Sequence, residues 1–460
     1  VNAGTPVYGL TTGFGALDGR PIPHELNRAQ QRNLLMSHSA GVGRPMGEDQ
    51  VRAMMLIRAN VLASGVTGVQ PATLDALLAM LNQGVTPVVP EVGSVGACGD
   101  LAPLAHMALP LIGLGACELG GERLPGATAM ARAGIRLPDL RGRDGLALIN
   151  GTEQTTGIGV LAVVDARRLV LTAEVAAAMS MEALGALDDS FDRGLAALKG
   201  QPGGVATAER LGLLTAGSDL VGPPRPGRLR DALSLRCVPQ VLGAARDGLD
   251  FAAGVLAREI NAANDNPIFL EREGRVTSNS GNFHGQFAAH ALDLTGSLAA
   301  SIAVISERRS ARLVDEKLSA LPAFLVAPAT GSEGLHSGLM IAHYTAAAIV
   351  AELRTTLVPA AIQSVPTCAN SEDHVPMSPI SARHAAAAVG MAETVVAIEL
   401  LLAAQALDLR GGRPGARTAA AQVVIRSAVP HLDADRVVAA DIEAVTSMVR
   451  SGDLTGIATD

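Results

Sequence analysis

The chain has 460 residues, a formal net charge of −8, 48% hydrophobic residues and only 2% aromatics, with two Tyr and no Trp. An acidic balance with neither a basic face nor a stacking platform excludes a nucleic-acid binder. The four cysteines, Cys98, Cys117, Cys237 and Cys368, are too widely spaced for a zinc site or a disulfide framework, so no metal is expected and the expected location is cytoplasmic. No signal peptide is read, although the chain opens on Val1 rather than Met, and no apolar run reads as long enough to cross a membrane.

A core without aromatics must be built from Ala, Leu, Val, Ile and Met. Ala and Leu are strong helix formers, which predicts a mainly α protein. Residues 1–150 read as a loop-rich N-terminal region with short helices, and residues 151–460 as a long-helix bundle with a helical tail. Val51 to Leu81 is expected as helices broken around Gly65-Val66-Thr67-Gly68. Asp100 is placed to cap a helix through Leu101-Ala102-Pro103. Residues 119–145 carry Arg132, Arg136, Arg141 and Arg143 among Gly and Pro and read as a surface excursion. Gly113-Leu114-Gly115 imitates a dinucleotide loop but follows a helix rather than a strand. Helical periodicity runs over Gly159–Leu184, Gln240–Ala263, Phe283–Leu313, Leu339–Leu357 and Arg383–Leu409, with a loop at 217–229.

The chemistry concentrates at Gly93-Ser94-Val95-Gly96-Ala97-Cys98-Gly99-Asp100. Small neighbours let the backbone fold back, so that the Gly99 nitrogen can reach the Ala97 carbonyl. Loss of water closes a five-membered ring, and loss of the Cys98 sulfur leaves an exocyclic methylene, an electrophile made from the chain. The residues alone also allow a tight turn with a small buried thiol, or a thiol nucleophile served by His106.

Further polar groups stand in distinctive settings. Tyr8 lies in the Gly-rich Val7-Tyr8-Gly9-Leu10-Thr11-Thr12-Gly13 and can act as a general base if positive dipoles lower its pKa. His38 follows Leu34-Leu35-Met36-Ser37, and Asn150 precedes Gly151-Thr152. Arg236 ends the apolar Leu233-Ser234-Leu235 and wants an anion. Phe283 sits in Ser280-Gly281-Asn282-Phe283-His284, and Glu372 in Asn370-Ser371-Glu372-Asp373-His374, whose adjacent acids and His do not converge on one ion.

These blocks, in this order from about Val7 to Arg410, resemble the histidine and aromatic amino acid ammonia-lyases. The resemblance implies a mainly α, aspartase/fumarase-like helical architecture and a homotetramer with shared active sites. It implies a methylidene-imidazolone formed from Ala97, Cys98 and Gly99. Catalytic roles fall to Tyr8, as base for the substrate β-proton, and to Asn150, beside the ring and the amine. Substrate binding falls to Arg236 for the carboxylate, His38 and Glu372 for an imidazole, and Phe283 near the ring. The implied reaction is loss of ammonia from L-histidine, giving urocanate, with a small-molecule amino acid as the partner rather than nucleic acid or membrane.

The chain departs from the pattern at four positions. Cys98 replaces Ser, Thr11 stands where histidine-type members carry Asn, and Arg230 and Leu233 stand where the family has Gln and Tyr. Leu233 can neither donate a hydrogen bond nor exchange a proton. A lyase or aminomutase for another aromatic amino acid, or a weak or inactive paralogue keeping the scaffold, are the alternative readings.

Overall fold

The structure is a computed structural model describing residues 6–224, 226–326 and 334–459. Arg225, within the expected 217–229 loop, lies outside the described residues. The chain runs through helices α1 (Asn27–His38), α2 (Glu48–Ala63), α3 (Pro71–Asn82), α4 (Leu101–Ala108), α5 (Gly126–Arg132), α6 (Asp144–Ile149) and α7 (Glu153–Ala183). It continues with α8 (Arg193–Leu198), α9 (Pro202–Leu214), α10 (Leu233–Arg236), α11 (Val238–Glu259), α12 (Gln286–Val314), α13 (Glu316–Ser319), α14 (Met340–Thr356) and α15 (Ser378–Arg410). Short helices α16 (Ala416–Arg426), α17 (Ala439–Ser451) and α18 (Thr455–Thr459) complete it. Strands among the described residues are brief antiparallel pairings, such as Ala116–Leu119 with Glu122–Pro125 and Ile268–Leu270 with Arg275–Thr277.

Local chemistry sets the helix ends. Gln50 Oε1 accepts from the Gly47 N–H at 3.2 Å and closes the start of α2. Pro71 and Pro202 occupy the first turns of α3 and α9, where a missing N–H costs nothing. Asp100 stands at the N-cap of α4, but its carboxylate makes no cap bond. It is drawn instead to Ser94 and Thr155.

The chain divides into two compact units. The first comprises Val1–Leu161, Ala252–Asp293 and Pro359–His384, and the second Ala162–Phe251, Leu294–Val358 and Ala385–Asp460. In the second unit α15 is the central helix: every residue from Val395 to Leu407 is buried, as expected of a helix apolar all round. Its buried Glu399 takes Arg309, with Arg309 Nη2 to Oε2 at 2.7 Å, and accepts from Ser180 Oγ at 2.7 Å. Small Ala side chains let these helices pack closely with few aromatics, Phe191 among the buried ones.

Two sequence expectations are corrected. Three helical stretches, Gln286–Val314, Met340–Ile362 and Ser378–Arg410, are long and apolar enough to cross a membrane. Their Ala/Val/Leu runs were masked by scattered polar residues. The third buries 72% of its apolar window inside the protein, whereas Met340–Ile362 buries only 28%. Arg143 is not on a surface excursion. It is 1% exposed and pairs with the fully buried Asp265, Nη1 to Oδ2 at 2.7 Å, because a buried guanidinium requires a carboxylate.

Candidate active site

The Ala97-Cys98-Gly99 loop lies in the first unit, directly before α4, so the positive end of that helix faces it. Two glycines hold its shape in left-handed backbone, Gly96 at φ +75° and Gly99 at φ +71°. A Cβ on Gly99 would stand 2.2 Å from the Gly151 carbonyl oxygen, and one on Gly96 would stand 2.4 Å from Ser378 Oγ. The adjoining Asp100 N–H donates to Gly151 O at 2.6 Å. Ala97 is buried beside Val375 and Met377. The loop is thus pressed onto the 150–152 turn with no slack for side chains.

Asp100 anchors the far side. Its carboxylate accepts from Ser94 Oγ at 3.0 Å and from the Thr155 N–H at 2.8 Å. Burial pushes its pKa up to about 7 against the lowering effect of these donors. Beneath the turn, fully buried Arg58 holds the Ala147 carbonyl through Nε at 2.7 Å, the Asn150 carbonyl at 3.1 Å and Glu153 at 2.8 Å. Neither Arg58 nor Glu153 is singled out by sequence reasoning. An Arg inside the apolar run Met54-Met55-Leu56-Ile57 was the available signal.

Asn150 donates from Nδ2 to the Asn266 carbonyl at 2.6 Å. Its Oδ1 is buried without a partner, so the amide offers an acceptor, the group an ammonium needs.

Across the loop, the Cys98 thiol donates to Glu372 Oε1 at 2.7 Å. Thr367 Oγ1 donates to the other carboxylate oxygen at 3.0 Å. Burial, and after it Glu372, push the Cys98 thiol well above its ordinary range. A suppressed thiolate contradicts a Cys98 nucleophile. His106 is turned elsewhere, its Nε2 accepting from the Gly41 N–H at 3.1 Å.

The Tyr8 hydroxyl accepts from the Gly15 N–H at 2.8 Å, and its ring meets Phe14 edge-on with centroids 6.4 Å apart. Burial raises its pKa to about 12. The Gly15 donor opposes this, and the nearby Cys98, Cys368 and Glu372 add to it. The condition of a pKa lowered by positive dipoles is therefore not met, since one backbone donor does not offset desolvation. Cys368, given no role in the sequence reading, belongs to this neighbourhood: its Sγ would stand 2.5 Å from a Cβ on Gly15.

His38, at the end of α1, carries Ser37 Oγ 3.0 Å from its Nδ1. Burial holds its pKa below the usual value, with Glu372 acting weakly in the opposite sense. Half-buried Phe283 lies two residues before Gly285, whose N–H points to the Gly96 carbonyl at 3.5 Å. Tyr8, His38, Asn150, Phe283 and Glu372 thus all belong to the same unit as the loop.

Arg236 belongs to the second unit. It lines a cavity of about 350 Å³ with Leu229, Arg230, Leu233, Cys237 and Gln240. Its Nε is buried without a partner, while Asp231 is already engaged by Arg228 and the Leu187 N–H. Both departures from the family pattern, Arg230 and Leu233, border the same cavity.

A mainly helical scaffold of this kind, with a glycine-bound Ala97-Cys98-Gly99 loop, fits a lyase. The chain belongs to the aromatic amino acid lyase family, whose sequence profile matches residues 1–427. It is 49% identical over 450 residues to a histidine ammonia-lyase of Symbiobacterium thermophilum, covering 98% of this chain and 88% of that protein. Its fold is similar to the crystal structure of histidine ammonia-lyase from Trypanosoma cruzi, with a TM-score of 0.90 at 37% identity over 99% of this chain and 86% of that one. It is equally similar to tyrosine aminomutase from Streptomyces globisporus, with a TM-score of 0.93 at 38% identity over 99% and 89% of the two chains.

Proposed function

We propose that this protein eliminates ammonia from L-histidine to give urocanate. The carrying observation is the Glu372 carboxylate at Cys98, the position of the expected electrophile. A carboxylate there suits an imidazole N–H, as does the neutral His38 ring, whereas a phenyl side chain offers neither of them a hydrogen-bond partner. The 49% identity to a protein named histidine ammonia-lyase supports the same choice.

The residues present fit a methylidene-imidazolone built from Ala97, Cys98 and Gly99. The Gly99 face is flush with Gly151, and Asn150 leaves an orphaned acceptor beside the turn. Once formed, that group supplies an electrophilic carbon that makes the amino group a better leaving group. Tyr8 removes the β-proton once its own proton has gone. Asn150 Oδ1 accepts from the substrate ammonium. His38 and Glu372 orient the imidazole, and Phe283 packs near the ring. Arg236 pairs with the α-carboxylate through its planar fork.

Copies of the chain are inferred to assemble as a cytoplasmic homotetramer whose sites are completed by more than one copy. Large exposed apolar side chains in the second unit, among them Leu233 at 62% and Tyr344 at 62% exposure, support an assembly.

Incubation of the purified protein with L-histidine, followed in the near ultraviolet, is expected to show urocanate and equimolar ammonia. Turnover of tyrosine or phenylalanine without turnover of histidine would reject the imidazole assignment. A β-amino acid product without ammonia would make the protein an aminomutase.

A further inference from the structure

We propose that Glu372 is also the proton carrier of the chain's own maturation, moving a proton from Cys98 Cα to the departing sulfur. The inference rests on the reading that Ala97-Cys98-Gly99 cyclises, and it assigns Glu372 a task that precedes any substrate.

In the unmodified chain Glu372 Oε1 lies 2.7 Å from Cys98 Sγ, the atom that must leave. That contact joins residues 274 positions apart. Glu372 is held at both its carboxylate and its backbone. Thr367 Oγ1 donates to Oε2 at 3.0 Å, and the backbones of Thr367 and Glu372 exchange hydrogen bonds at 2.9 and 3.3 Å. No other carboxylate is hydrogen-bonded to the Cys98 sulfur among the described residues. Asp100, the acid next in sequence, is turned away to Ser94 and Thr155.

The chemistry needs a group at that place. Ring closure forms the bond from Gly99 N to the Ala97 carbonyl carbon. It expels the Ala97 oxygen as water, with one hydrogen from Gly99 N and one from Cys98 N. The sulfur leaves in a separate elimination. The Cys98 Cα–H bond breaks, its electron pair forms the Cα–Cβ double bond, and the Cβ–S bond breaks with its pair on sulfur. A thiolate cannot leave, because it would depart as the sulfide dianion, so the S–H proton must stay on until cleavage. Burial and Glu372 keep it there by raising the thiol pKa. Sulfur then departs as hydrosulfide. The Cα proton, taken up by the carboxylate, passes to it and gives hydrogen sulfide, and Glu372 returns to its ionised form. No oxidant or reductant enters. Only when the sulfur has gone is Oε1 open to a substrate imidazole.

The test is the intact mass and sulfide release of purified Glu372→Gln beside the unaltered chain. Gln keeps the size and the acceptor but cannot take up a proton and hand it on. The unaltered protein should lack one water and one hydrogen sulfide, and denaturing thiol counts should find three cysteines. Glu372→Gln should lose the water but retain the sulfur, with sulfide release slowed on the order of 10²-fold or more. Glu372→Asp should recover part of the rate, and thermal melting should show all three chains folded. Loss of both water and sulfide from Glu372→Gln at the unaltered rate would overturn the proposal. Retention of both by a folded Glu372→Gln would also overturn it, since Glu372 would then act before elimination. If the unaltered chain itself keeps its full mass, the proposed function fails together with this inference.

Discussion

At Tyr8, burial and a backbone donor act in opposite senses, and burial prevails, leaving the phenol near pKa 12. A general base works only in its deprotonated form. The competent fraction therefore grows roughly tenfold per pH unit below that value, and kcat/KM should rise steadily from neutral into alkaline pH. A profile that peaks below neutrality would remove Tyr8 from the base role. Tyr8→Phe keeps the ring against Phe14 and deletes only the oxygen. It should lower turnover by about 10² to 10⁴-fold while the mass still shows loss of water and hydrogen sulfide; unchanged turnover would reject the assignment. His38 works in the opposite protonation regime. Its lowered pKa keeps the imidazole neutral at pH 7, so that it can bond to a substrate ring without adding charge. Residue identities such as Tyr8, His38 and Glu372 were legible because each stands in a distinctive block. The contact between Cys98 and Glu372 was not, since no periodicity links positions 274 apart.

The element that shapes the loop is a stack: the 97–99 segment, the 150–152 turn, and the buried Arg58 beneath. Gly99→Ala adds a Cβ 2.2 Å from the Gly151 oxygen at a φ of +71°. Strain of this kind costs about 1 to 3 kcal/mol. The variant should keep the full encoded mass. Gly134→Ala, at a similar φ of +69° with open space around it, should mature normally and serves as the control. Arg58→Leu would leave Glu153 and the Ala147 and Asn150 carbonyls without their donor. Breaking a buried pair in this way should destabilise the protein by about 3 to 5 kcal/mol, read as a lower Tm or denaturation midpoint. A loss under about 1 kcal/mol, the range of an exposed pair, would show that the network does not bear on the turn. Helices were the more legible elements. The 3.6-residue period placed a helix over Gly159–Leu184 and another over Arg383–Leu409, against Glu153–Ala183 and Ser378–Arg410 observed. Both starts were missed because their first turns are polar and buried: Glu153 meets Arg58, and Ser378 meets Thr155. The same blindness put Arg143 on the surface, since its partner Asp265 lies 122 residues away.

At the scale of the whole molecule, Tyr8 and Glu372 belong to one compact unit and Arg236 to the other. The second unit exposes large apolar side chains, the kind of surface an assembly would cover: Phe251 is 58% exposed, Ile341 60% and Leu233 62%. The Met340–Ile362 stretch leaves most of its apolar window uncovered. Assemblies bury such faces, and the proposal that sites are shared between copies makes a direct prediction. Tyr8→Phe should be nearly inactive, and Arg236→Gln nearly so at substrate concentrations near the KM of the unaltered protein. The second should fail mainly through KM, because a charge-assisted pair worth about 1.5 to 3 kcal/mol is lost. Co-expressed in one cell, the two variants should form mixed assemblies in which some sites draw an intact Tyr8 from one copy and an intact Arg236 from another. Activity should then exceed the sum of the two variants assayed separately. Mixing the finished proteins, without exchange of copies, should give no gain. If co-expression also gives none, each copy completes its own site, and the uncovered apolar faces of the second unit serve assembly alone.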